Sequence, residues 1–209
     1  MLTMIRSVLT ASGLLLATAA GATDVAAAQT MWILGYPVTT GGNTTACAIE
    51  YNGIGKDYTY KQGNTIALTG SLQIRRDTVD GKLRTYGAFK VSLDDFEGGT
   101  RTSARPASIH LVTSDGTIVK GNPALALPSG DPGGLLQVFN LDDNFLKIFV
   151  GIIEEKKLII AFNRTQGGTD LRLPLDLTVK SVDLKTGAIE RSDEMVEAFQ
   201  SCSSLILKD

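Results

Sequence analysis

Apolar and polar residues alternate along much of this chain with a period of two, most regularly where Ile66, Leu68, Leu72 and Ile74 interleave with Ala67, Thr69, Ser71, Gln73 and Arg75. Successive strand side chains point to opposite faces, so this spacing predicts a strand with one wet face. Leu171, Leu173, Leu175, Leu177 and Val179 repeat the pattern against Arg172, Pro174, Asp176, Thr178 and Lys180. Pro174 has no N–H to give to a ladder, which predicts an edge position or a bulge. Shorter strands are predicted over 32–35, 45–51, 86–93, 108–113, 135–139 and 158–163, with turns at Asp80-Gly81, Gly98-Gly99, Asp115-Gly116 and Gly167-Gly168. The stretch from Gly121 to Gly134 holds three prolines and reads as a surface loop.

Two segments switch to helical spacing. Met195, Phe199, Cys202 and Ile206 recur at three- and four-residue steps, predicting a helix over 192–207 capped by Ser192 or Asp193. Phe145, Ile148, Phe149 and Ile152 form a similar stripe over 142–153, where a helix is favoured over a strand. With one wet sheet face, short turns and late helices, the predicted fold class is α+β, an antiparallel sheet or small β-sandwich packed against a C-terminal helix.

The first residues stand apart from this pattern. Arg6 precedes an apolar run from Val8 to Ala20, and small residues follow, which is the layout of a secretory signal peptide. Cleavage fits after Ala22 or after Ala28, and the second is preferred, giving a leader over 1–28 and a single β-rich domain over 29–209. The run is shorter than the roughly 20 apolar residues of a membrane span, and no later stretch is apolar enough, so a soluble periplasmic or secreted product is expected. The two cysteines, Cys47 and Cys202, are then expected to pair in an oxidising compartment; neither lies in a C-x-x-C motif. The sequons at Asn43 and Asn163 are read as chance matches, because the Ala-rich leader is bacterial in character.

The formal net charge is −2, and removing 1–28 takes away Arg6 and Asp24, leaving it unchanged. A near-neutral surface disfavours nucleic acid or an anionic membrane as partner. Familiar catalytic signatures are missing: there is one histidine, His110, set in an apolar run, and no G-x-S-x-G, S-x-x-K, Walker A or zinc-ligand spacing. No cofactor or metal is expected. The remaining candidates for chemistry are carboxylates, Asp94, Asp95 and Glu97, then Asp142 and Asp143, then Glu154 and Glu155, each with a plain reading as a solvated turn or helix N-terminus. Five arginines, Arg75, Arg76, Arg84, Arg101 and Arg105, cluster in one region, and Arg101 and Arg105 beside Gly98-Gly99 form a candidate anion-receiving lip. Trp32 and Tyr36 are read as packing in the first strand, with exposed binding aromatics as the alternative.

The ACAIEY stretch around Cys47, the FLKIF and KLIIAF pair, RLPLDL and the terminal MVEAFQSCSSLIL together resemble a group of uncharacterised small exported proteins of alphaproteobacteria. The L-P-L strand and the cysteines are also similar to those of invasion-associated locus B proteins, although the further cysteines expected there are absent. These resemblances imply an exported β-rich domain and supply no catalytic residue. The function expected is a non-enzymatic binding or envelope-associated module with an envelope ligand or protein as partner. The alternatives are a carboxylate-based hydrolase of envelope glycan or peptide, and an inhibitor of a periplasmic enzyme presented through 121–134.

Overall fold

The computed structural model describes residues 22–208, so the expected leader falls outside the described residues up to position 21. A two-residue strand, β1 (Thr23–Asp24), is followed by four long strands, β2 (Ala26–Thr40), β3 (Asn43–Asp57), β4 (Asn64–Val79) and β5 (Lys82–Glu97). These four pair with their sequence neighbours as an antiparallel meander. Two of the connections are two-residue turns at Gly41-Gly42 and Asp80-Gly81, with both central residues at positive φ (59° and 83°, 52° and 72°). Turns of that hand match the twist of the strands they join, which favours glycine and aspartate there.

After β5 the chain folds back as β6 (Thr100–Ser103), then runs through β7 (Ser108–Val112), β8 (Ile118–Val119), β9 (Leu127–Pro128) and β10 (Gly134–Phe139). β10 returns antiparallel to β5, giving a sheet of order β2-β3-β4-β5-β10-β9 with β6 also on β5. Helix α1 (Asp143–Val150) continues into a π-helical turn at Gly151–Glu155, and β11 (Lys157–Asn163) and β12 (Leu171–Asp176) follow. They build a second sheet of order β1-β12-β11-β7-β8, mostly antiparallel, with β1 alone parallel to β12. A small hairpin, β13 (Val179–Val182) and β14 (Ile189–Arg191), leads to helix α2 (Glu194–Leu207). The fold is therefore sheet-rich α+β, as the alternation predicts.

Each strand predicted from alternation lies in an observed one, with two adjustments. The 171–179 run breaks after Asp176, where Asp176 Oδ1 accepts from the N–H and hydroxyl of Thr178 and turns the chain into β13. The 121–134 segment is more ordered than a plain loop: a 3₁₀ turn at Pro123–Leu125 precedes β9, which pairs with β10. Pro174 sits where its missing N–H costs little. It pairs with Ile159 on one side, while β1 reaches only Leu171 and Arg172 on the other.

Side chains from both sheets and both helices meet in one core. Tyr51, Phe89, Phe139 and Phe145 run through it as a chain of rings 6.5, 6.2 and 5.9 Å apart, and Phe149 meets Phe199 at 5.8 Å, joining α1 to α2. Helix α1 starts where Asp142 Oδ1 accepts from the N–H groups of Asn144 and Phe145. Helix α2 buries Val196, Phe199, Cys202, Ser203 and Ile206, and Ser192 Oγ accepts from the Glu194 N–H at its start. It lies so close to β2 that a Cβ on Gly35 would fall 2.0 Å from the Met195 carbonyl oxygen, a clash of backbone with backbone. The Cys47 and Cys202 sulfurs are at bonding distance, with Cα atoms 5.7 Å apart, which staples α2 to β3.

The sheet begins ahead of Gln29. The Thr23 N–H donates to Asp170 O and the Val25 N–H to Arg172 O, each at 2.8 Å, and Val25 is buried at 4% exposure. Residues 23–24 and 26–28, which the preferred cleavage would remove with the leader, are strand residues in this fold.

Candidate functional site

The candidate carboxylates are dispersed and mostly engaged. Asp94 and Asp95 are neighbours on β5 and so point to opposite faces. Asp94 accepts from Arg101 (2.8 Å) and Ser103 (2.7 Å). Asp95 accepts two hydrogen bonds from Arg164 and pairs with Lys61 at 2.9 Å. Burial would raise the Asp95 pKa, but the bonds from Arg164 and Lys61 outweigh it and hold the carboxyl below its ordinary value. Asp142 caps α1, and Asp143, Glu154 and Glu155 are exposed. Asp94 flanks the start of β10 and Asp142 follows its end, so a six-residue strand separates them, roughly 20 Å. That is well beyond the roughly 5–9.5 Å at which two carboxyls share a glycosidic bond.

The two lip arginines are also placed on protein partners: Arg101 lies on Asp94, and Arg105 Nε donates to the Gly134 carbonyl at 3.1 Å. His110 is half-buried on β7 with Nε2 3.3 Å from Ser108 Oγ, and burial pushes its pKa down. Among the described residues, no group of three histidine, cysteine or acidic side chains is arranged to hold a metal ion. No described helix is long and apolar enough to cross a membrane.

The most developed concave surface is the outer face of the long-stranded sheet. Pairing register sets its side chains in rows that cross the strands from β2 to β10. One row is Trp32, Asn52, Thr69, Ser92 and Gly134; the next is Leu34, Glu50, Ser71, Lys90 and Leu136; the third is Tyr36, Ala48, Gln73, Ala88 and Val138. Small residues, Ala46, Ala48, Ser71 and Ala88, are buried although they point away from the core, and Ser71 and Ala88 form a floor. Their neighbours rise over them, leaving depressions of about 310 Å³ and 130 Å³ that share Lys90. Tyr86 and Gln73 line the larger one and Trp32 the smaller.

The charged groups of this face are partnered within it or at its rim. Tyr36 donates to Glu50 at 2.6 Å, and burial, then that carboxylate, push its pKa up to about 12. Arg75 donates to Gln73 (3.1 Å) and Asp77 (3.3 Å), and Tyr86 also donates to Asp77. Lys90 pairs with Asp131 at 2.7 Å. Trp32 is 38% exposed and Leu34 45%, so the first strand presents these side chains to solvent rather than packing them all inside. Sequence reasoning passed over this face because its floor residues, alanine and serine, carry no chemistry of their own; only pairing register assembles them.

A second cluster has no local sequence signal. Arg164 Nε donates to Asp57 at 2.7 Å, and its two terminal nitrogens take both oxygens of Asp95. Asp57 is fully buried, and the partners are 107 and 69 residues from Arg164. The cluster ties the end of β11 to the ends of β3 and β5, a structural clamp between sheets. No family model, curated protein or solved structure matches this chain.

Proposed function

We propose that this protein is a non-enzymatic binding module of the bacterial envelope, exported to the periplasm, and that it holds its ligand against the outer face of the long-stranded sheet. The observation that carries this reading is the sheltered floor of Ser71 and Ala88 under a rim of aromatic and polar side chains. Rigid strands hold those side chains in fixed register, so the surface is preformed and a ligand does not have to order it. The wide separation of Asp94 from Asp142 favours binding over carboxylate chemistry. A cysteine pair at bonding distance is compatible with an oxidising compartment, as is the sequence resemblance to exported alphaproteobacterial proteins.

The test is native mass spectrometry of the protein recovered from its own envelope, for the wild type and a Gln73→Ala/Tyr86→Ala variant. A reproducible adduct on the wild type that is lost from the variant supports the reading. An adduct retained by the variant, or none on either, overturns the assignment of this face.

A further inference from the structure

The chemistry of the outer face narrows what it can hold. Two of its charged groups are already cancelled in pairs, Lys90 with Asp131 and Arg75 with Asp77, while Glu50 accepts from the neutral Tyr36 hydroxyl and keeps its negative charge. A polyanion would have to break those pairs and would meet the Glu50 carboxylate, and a polycation would gain that single carboxylate without breaking them. What the face offers beyond them is neutral. Asn52 sits directly opposite Trp32 on the neighbouring strand, and Thr69 opposite Asn52 on the next. Among the described residues, neither side chain has a protein partner to satisfy it. An exposed indole therefore lies in one row with an amide and a hydroxyl, each free to donate and accept.

Competing occupants fit less well. An apolar small molecule wants an enclosed apolar pocket, and these depressions are open, with Glu50, Gln73, Arg75 and Lys90 on their walls. A peptide strand adding to the β2 edge would need free backbone groups there. The Gly35 N–H already points at Met195 Sδ (3.4 Å), and Pro37 has no N–H. The match is to a molecule with apolar C–H faces and many neutral hydroxyls.

We infer that the outer face takes a neutral glycan chain, with one sugar ring stacked on Trp32, hydroxyls bonded to Asn52 and Thr69, and the chain continuing over the Ser71 and Ala88 floor beside Gln73. This rests on the binding-face reading above.

Trp32 is the chain's only tryptophan, so intrinsic emission reports this row alone. The experiment titrates the mature protein with neutral hexasaccharides of glucose and of N-acetylglucosamine, and with an acidic oligouronate, following emission and, for the Trp32→Ala variant, calorimetry. The expected result is a saturable change with at least one neutral hexasaccharide and none with the oligouronate. Affinity should fall about tenfold in Trp32→Ala and in Asn52→Ala. No saturable response to either neutral chain, a response confined to the oligouronate, or unchanged affinity in both variants would overturn the glycan assignment. If these titrations fail while the native adduct is lost from Gln73→Ala/Tyr86→Ala, the glycan is wrong and the binding face stands; if both fail, so does the face.

Discussion

Arg164 donates to both carboxylate oxygens of Asp95, at 2.6 and 3.1 Å, from the bend that follows β11 in one sheet to β5 in the other. With Asp57 on its Nε, one guanidinium satisfies two buried acids. Removing it leaves Asp57 without a cation and Asp95 with Lys61 alone. We expect Arg164→Met to cost about 3 kcal/mol in urea unfolding, because an uncompensated buried carboxylate is expensive. Arg164→Lys should recover only part of this, since a single ammonium cannot replace the planar fork. Unchanged urea midpoints in both variants would show that the clamp contributes nothing.

The same cluster fixes the direction of the acid response. The folded Asp95 carboxyl is held below the unfolded value of about 3.9, so its contribution is fully present above that pH and is lost as pH falls through the folded pKa. Asp77 and Asp176 are shifted the same way, Asp77 chiefly by the Tyr86 hydroxyl. At Asp176, burial opposes the Thr178 and Arg191 bonds that lower it. Stability should begin to ease as pH falls below about 6.5, where the unfolded His110 takes up a proton that the half-buried folded ring resists, and should decline further below about pH 4. The decline should be shallower in Arg164→Met, measured as urea midpoint against pH.

Reduction of the Cys47–Cys202 bond should need local opening first, because Cys47 is fully buried and Cys202 nearly so, and should then destabilise the fold. The loop closed spans 155 residues, for which chain entropy gives about 5 kcal/mol as an upper figure. A Cys47→Ala/Cys202→Ala variant is expected to lose between about 2 and 5 kcal/mol in urea unfolding. Equal midpoints for the variant and the wild type would refute the staple.

The hydrogen bonds of Thr23 and Val25 bear on processing. If the chain is cleaved, the cut that preserves β1 and the buried Val25 falls after Ala22. Intact mass of the exported protein should therefore give Thr23 as its first residue. A start at Gln29 would mean that the parallel strand pair is dispensable.

How far the sequence revealed this molecule depended on which residues faced outward. Strand β4 was plain because its outer positions, Thr69, Ser71, Gln73 and Arg75, are polar against a wholly apolar inner set. Strands β2 and β3 were foreshortened because their outer faces carry Trp32, Leu34, Ala46 and Ala48, which blur the alternation. The α2 stripe was legible because four residues at helical spacing meet one core. The candidate site was not, since the Trp32, Asn52 and Thr69 row exists only through the register of three strands. Arg164 was equally hidden, because nothing local marks an arginine whose partners lie on another sheet.

The position of the two cysteines also orders events in time. The chain is made from its N-terminus, and β2, β3 and β4 pair only with their sequence neighbours, so the meander up to β5 can zip as it emerges. Cys47 is laid into it early, while Cys202 belongs to α2 and is made 155 residues later. Until that helix docks on β3, the first thiol waits alone within an otherwise assembled sheet. Closure of the bond is thus a late event, and an oxidised protein is one in which α2 has already found its place.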